Sequence, residues 1–286
     1  MIAGLLVAVA LQVAAPQARP VARRTAVRQS TGAPVRSAKP PRNVARVVVD
    51  AGHGGVDPGA PMLTKDGLRE KDITLQLALK VGDALKARGI DVVYTRKRDT
   101  LIALGDRGRI ANQAGGDVFI SIHVNAANLH WKNPSAARGF ETYFLAEART
   151  EDARRVESME NDAMRFEGPK NIDSSDPLGF ILKDMEQNQY LRESSEFADI
   201  VQHRIAKIHP GTDRGVKQAG FHVLSTALMP AILVEVGFGT NAGEAAYLSN
   251  TVRQQALARV IADATTEYLD RYKRRVGSSG LAGSHD

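Results

Sequence analysis

A chain of 286 residues, 43% hydrophobic and 24% charged, has ample material for a packed core, and its lack of cysteine excludes disulfides and thiolate metal sites. Seven of its 38 basic residues and none of its 32 acidic ones fall in residues 1–43. The remainder is therefore close to neutral, which argues against a basic nucleic-acid-binding face.

In chain order, residues 1–15, MIAGLLVAVALQVAA, form an uncharged apolar run too short to span a bilayer comfortably. It reads as the core of a secretory signal, although no basic residue precedes it, and it predicts export to the periplasm or cell envelope. Residues 16–43 are rich in Pro, Arg, Ala and Ser and cannot bury enough surface to fold. They read as a linker whose charge suits weak contact with an anionic surface. From residue 44 the pattern alternates strand and helix. Val47–Val49 predicts a buried strand, Glu70–Ala87 an amphipathic helix ended by Gly89, and Ile90–Thr95 a second strand. Helix 102–113, strand 117–123 and strand 139–145 follow, then two late strands in GFHVLS and AILVEVGF and a closing helix over 251–273. Such alternation predicts one α/β domain over 44–276: a mostly parallel twisted sheet with helices on both faces, and a flexible tail at 277–286. Residues 150–204 break the rhythm, because one crossover needs far fewer residues, and read as a helical insertion.

The chemistry collects at strand ends. In VVVDAGHGGVDPGA, His53 follows the first strand among glycines, and in SIHVNA, His123 and Asn125 end the third. Ligands bind in the crevice outside the carboxyl ends of such strands. Glu70, opening the first helix, can swing into that crevice, and two imidazoles with one carboxylate suit Zn²⁺ with a fourth position open. Taken singly, each residue has a structural alternative: a turn histidine, a satisfied core histidine, a charge favoured at a helix N-terminus. Glu235 lies inside the apolar strand AILVEVGF, where a lone carboxylate is costly unless it faces a cation. It reads either as a general base or as a structural acid paired with an arginine such as Arg214.

The ordered motifs VVVDAGHGGVDPGA, REKDITL, SIHVNA, RGVKQAGF and LVEVGFGTN resemble the zinc-dependent N-acetylmuramoyl-L-alanine amidases of the amidase-3 type over roughly residues 44–273. The resemblance implies that His53, Glu70 and His123 bind zinc and that Glu235 is the catalytic carboxylate. It implies peptidoglycan as substrate, cut at the amide between N-acetylmuramic acid and the first L-alanine of the stem peptide. Glu141 in GFETYFL matches a further acidic position, with a role in orienting substrate or a ligand. Asn125 and Arg214 are candidates for holding substrate. His222 stands where family members usually carry an aromatic such as Tyr, which leaves it as a spare ligand, a substrate contact or a ring of similar size. The alternatives are another zinc peptidase or amidohydrolase, and a wall-binding module without catalysis.

The insertion follows the fourth strand, whose carboxyl end is expected near the crevice. Its segment ARRVESMENDAMRFEG has helical spacing, with Val156, Met159, Ala163 and Phe166 on one side. The resemblance implies that such an insertion blocks the zinc site until a LytM-type activator draws it away, with Glu160 in the position open to water. A monomer is expected.

Overall fold

The computed structural model describes residues 44–128, 130–167 and 177–281. The expected signal segment and linker, and residues 282–286, lie outside the described residues. The valine run forms strand β1, Arg46–Ala51. Helix α1 (Glu70–Lys86), strand β2 (Asp91–Tyr94), helix α2 (Leu104–Gln113) and strand β3 (Val118–Asn125) follow. Next come strand β4 (Phe140–Leu145), helix α3 (Glu151–Asn161) with a short 3₁₀ turn, and helix α4 (Pro177–Ile205). Strand β5 (Asp213–Ala219), the single-turn helix α5 (His222–Ser225), strand β6 (Ala231–Phe238), helix α6 (Ala242–Ser249) and helix α7 (Thr251–Leu281) complete the order.

The strands form one sheet in the order β2-β1-β3-β6-β4-β5. Neighbours are parallel except at β4 against β6, so β4 and β5 run opposite to the other four. Strand alternation divides the core between the two faces. Val47, Val49, Ile120, Ile122, Ile232 and Val234 pack on one side with α1, α4 and α7. Val48, Phe119, Leu233 and Tyr143 pack on the other with α2, α3 and α5. The mostly parallel sheet with helices on both faces is as the alternation implied.

Four expectations are corrected. GFHVLS is not a strand: α5 occupies it, burying Val223 and Leu224, and the strand lies earlier, in DRGVKQA. That strand is at the sheet edge and mostly half-buried, so its polar residues masked it. The carboxyl end of β4 does not reach the crevice, because β4 is antiparallel to β6 and its amino end lies there instead. The expected insertion is also shorter than 150–204, since Phe197, Ala198, Val201 and Ile205 of α4 are fully buried in the core beneath α7. Among the described residues of that segment, only α3 and its 3₁₀ turn lie over the face that carries the site. Finally, α7 continues through Leu281 into the expected tail, an extension that costs little once a long helix is nucleated.

Candidate metal centre

His123, Glu235 and Glu141 stand in one row across the sheet. His123 on β3 is in register with Glu235 on β6, which is in register with Glu141 on β4. All three are buried on the face covered by α2, α3 and α5. His53 joins them from the loop after β1 and Glu70 from the first turn of α1.

The His53 loop is held by buried cations. Asp50 accepts from Thr95 Oγ1 at 2.5 Å, Arg107 Nη1 at 2.9 Å and Ser121 Oγ at 2.6 Å. Arg107 also donates to the carbonyls of Ala51 and His53, and Arg96 to those of Ala51 and Gly52. With these bonds the backbone can hold His53 at φ 59°, a left-handed conformation otherwise found in the described chain only at glycine. Glycine at position 52 is required by contact, because a Cβ there would lie 2.5 Å from the His123 ring. At Gly59, a Cβ would meet Glu70 Oε2 at 2.5 Å and His53 Cδ2 at 2.8 Å.

His53 Nδ1 lies 2.8 Å from Asp57 Oδ2, which fixes the ring and turns Nε2 inward. His53 Nε2 is 3.1 Å from Glu70 Oε1 and 3.2 Å from Glu160 Oε2. His123 Nδ1 is 3.4 Å from the same Glu70 oxygen and 2.7 Å from the same Glu160 oxygen. Ligand atoms from the four residues lie within 4.8 Å of one another. In a tetrahedral zinc site with bonds of about 2.0–2.1 Å the ligand atoms are about 3.3 Å apart, close to these spacings. His53 Nε2, His123 Nδ1 and Glu160 Oε2 are buried without a hydrogen-bond partner, as atoms aimed at a shared cation would be. Glu70 is anchored by the Ala60 N–H at 2.5 Å and the Val124 N–H at 2.8 Å. The residues present therefore fit a zinc ion.

The electrostatics agree. Burial alone would push both imidazoles down, but Glu70 and Glu160 outweigh it and His53 rises well above the usual histidine range. His123, against the same burial, is raised to about 10, chiefly by Glu160. Burial pushes Glu160 up, and the two histidines more than reverse this and hold it low. A site that keeps protons on both rings attracts positive charge, and a divalent cation would meet the same field. Glu235 behaves differently. Burial and the neighbouring Glu160 raise it well above the carboxylate range, and neither of its oxygens has a hydrogen-bond partner.

Glu141, Asn125 and Arg214 are not in this cluster. Glu141 accepts from Asn125 Nδ2 at 2.6 Å, Tyr143 Oη at 2.9 Å, Arg214 Nε at 2.9 Å and Lys217 Nζ at 2.5 Å. Arg214 thus pairs with Glu141 rather than with Glu235. His222 also lies outside the cluster, its ring against Gly105 of α2. Asp57, Asp50, Arg107 and Lys217 escaped the sequence reading. Only Asp57 left a trace, four residues after His53 in HGGVD.

Glu160 arrives with α3, whose buried stripe is Ala153, Val156, Glu160 and, in the following turn, Ala163. Thr150 caps the helix, accepting from the Ala153 N–H at 3.1 Å. Arg155 bonds the carbonyl of Ala126 and Oδ1 of Asn125. Glu157 and Asn161 bond the backbone of Gly220 and His222.

The amidase-3 family model, described as N-acetylmuramoyl-L-alanine amidase, matches residues 47–267. N-acetylmuramoyl-L-alanine amidase AmiA of Escherichia coli K12 is 34% identical over 78% of this chain and 75% of its own length. AmiC of Neisseria meningitidis is 32% identical over 78% of this chain and 52% of its own. The crystal structure of an N-acetylmuramoyl-L-alanine amidase from Clostridium difficile 630 superposes with a TM-score of 0.59 at 32% identity, covering 80% of this chain and 98% of that one.

Proposed function

The chain belongs to the N-acetylmuramoyl-L-alanine amidase family, and on that premise we propose that it is a zinc-dependent peptidoglycan hydrolase closed by its own helix α3. His53, Glu70 and His123 hold the metal, and Asp57 orients His53. Bound zinc would polarise the scissile carbonyl and make water nucleophilic at neutral pH. Glu235, in register beside His123 and raised by burial, accepts the proton of the attacking water and delivers it to the departing alanine nitrogen. The hydrogen bonds around Asp50 and Arg107 keep the His53 loop from moving during this exchange.

The observation that carries the closed state is the Glu160 oxygen 2.7 Å from His123 Nδ1 and 3.2 Å from His53 Nε2. A carboxylate there takes the position a catalytic zinc site leaves open for water or substrate. Turnover then requires α3 to lift, and a LytM-type activator is the expected agent. Export to the cell envelope would bring the enzyme to its substrate; among the described residues no helix is long and apolar enough to cross a membrane. Digestion of purified sacculi by the zinc-loaded chain carrying Glu160→Ala, which removes the blocking carboxylate, with mass analysis of the products, tests the reading. Free stem peptides beginning with L-alanine are expected, and cleavage within the peptide would favour a zinc peptidase instead.

A further inference from the structure

Asp152 sits on α3 two turns before Glu160 and performs no task in the metal site. Its Oδ2 accepts from Arg214 Nη2 at 2.8 Å and Lys217 Nζ at 2.9 Å, both on β5. These are the cations that hold Glu141, next to Glu235 in the row. Arg214 lies 5.0 Å from the Phe238 ring and Lys217 5.9 Å from that of Tyr143, so both heads also have contacts on the sheet that do not involve α3.

The charges become unequal when α3 lifts. Asp152 keeps a partner on its own helix, since Arg155 Nε donates to its Oδ1 at 3.1 Å. Arg214 and Lys217, both half-buried, are left with Glu141 as the one carboxylate bonded to both, while Glu244, which also feels Arg214, is engaged by the N–H groups of Gly139 and Phe238. Such a pair calls for another anion. We propose that Arg214 and Lys217 form a carboxylate subsite for the stem peptide, and that Asp152 fills it from within the chain while α3 is seated.

The position defines the ligand. Strands are about 4.8 Å apart, so the subsite lies about 5–10 Å along the sheet from Glu235. A peptide advances about 3.3–3.6 Å per residue. A free carboxylate on the residue following the scissile alanine therefore reaches the two cations, and an amidated residue brings no charge to them. Helix α3 thus imitates substrate at two points, with Glu160 at the metal ligands and Asp152 at the peptide subsite.

This inference rests on the amidase reading for the identity of the peptide, but its test is a binding measurement independent of turnover. The probes are L-alanyl-D-glutamic acid with its γ-carboxyl capped as the methylamide, and the same dipeptide with its α-carboxyl converted to carboxamide. Calorimetry compares the full zinc-loaded chain carrying Glu160→Ala with the chain carrying Glu160→Ala and Asp152→Asn. The acid probe should bind about tenfold tighter to the double variant, the amide probe less than twofold tighter, and Asp152→Ala should reproduce the gain. Lys217→Met added to the double variant should abolish it. Equal gains for both probes, no gain for either, or a gain that survives Lys217→Met would each overturn the subsite. Failure of the sacculus digest with acid selectivity intact would instead count against the amidase reading alone.

Discussion

At the scale of single residues, the candidate ligands and the candidate base have opposite signatures. His53 Nε2 and His123 Nδ1 are orphaned atoms converging on one point, whereas Glu235 is a carboxylate that burial keeps ready to hold a proton. His53→Ala or His123→Ala should therefore lose stoichiometric zinc together with activity, while Glu235→Gln should keep zinc and lose hydrolysis by about 10²-fold or more. Metal analysis beside dye release from labelled sacculi separates the two. Stoichiometric zinc in either alanine variant would remove that histidine from the ligand set. These residues were legible because each interrupts an apolar or glycine-rich strand end with a group such places rarely carry. Asp50 and Arg107 were not legible: their bond joins positions 57 residues apart, and each alone resembles an ordinary surface charge.

At the scale of elements, α3 shows what periodicity can and cannot disclose. Its helical spacing was readable as Val156, Met159, Ala163 and Phe166, but the buried stripe is Ala153, Val156, Glu160 and Ala163, and Glu160 was reached through the family resemblance rather than through periodicity. How it reaches the site was not readable, because the antiparallel pairing of β4 depends on a partner strand about ninety residues away. If Glu160 blocks the centre, Glu160→Ala or removal of residues 151–167 should raise basal dye release without activator, since activity follows the fraction of open molecules. Unchanged or lower release from a folded, zinc-loaded variant would count against closure. Acid should loosen the same helix. Burial alone would raise Asp152, but Lys217, Arg155 and Arg214 bring it down to about 2. A carboxylate lowered on docking adds stability above its free value near 4 and loses it as pH falls from about 4 to 2. The sole tryptophan, Trp131, lies 5.2 Å from the Arg155 guanidinium on α3 and reports the change. Its emission should shift over that window, and Asp152→Asn should produce part of the shift at neutral pH; a variant with unaltered emission would place the helix's hold elsewhere.

At the scale of the whole molecule, the sequence separates a basic leading segment from a nearly neutral remainder, with 31 basic and 32 acidic residues after position 43. Deleting residues 19–42 should weaken sedimentation with sacculi or anionic vesicles at low salt and leave hydrolysis of small soluble substrates unchanged. Equal sedimentation would reduce that segment to a spacer. Fold class was legible at this scale from the alternation of strands and helices. Strand order was not, because it is set by long-range pairings such as β3 with β6, joined across more than one hundred residues.

The same long-range construction would make a bound metal a constraint on the whole fold. Its candidate ligands come from the loop after β1, the start of α1, the end of β3 and α3, so one ion would tie four separate elements together. An ion bound only by the folded chain adds about 2.7 kcal/mol at a concentration a hundredfold above its dissociation constant. For a domain of this size that corresponds to about 5–10 °C in melting temperature. Chelation should therefore lower the melting temperature by this amount, and added zinc should restore it. His123→Ala should melt at the same temperature with or without chelator, since the ligand set is broken already. Glu160→Ala should still respond to chelation, because three ligands remain, but less than the parent does, because α3 no longer contributes one. A full response in His123→Ala would mean that the stabilising ion binds elsewhere, and an undiminished response in Glu160→Ala would mean that α3 does not touch it.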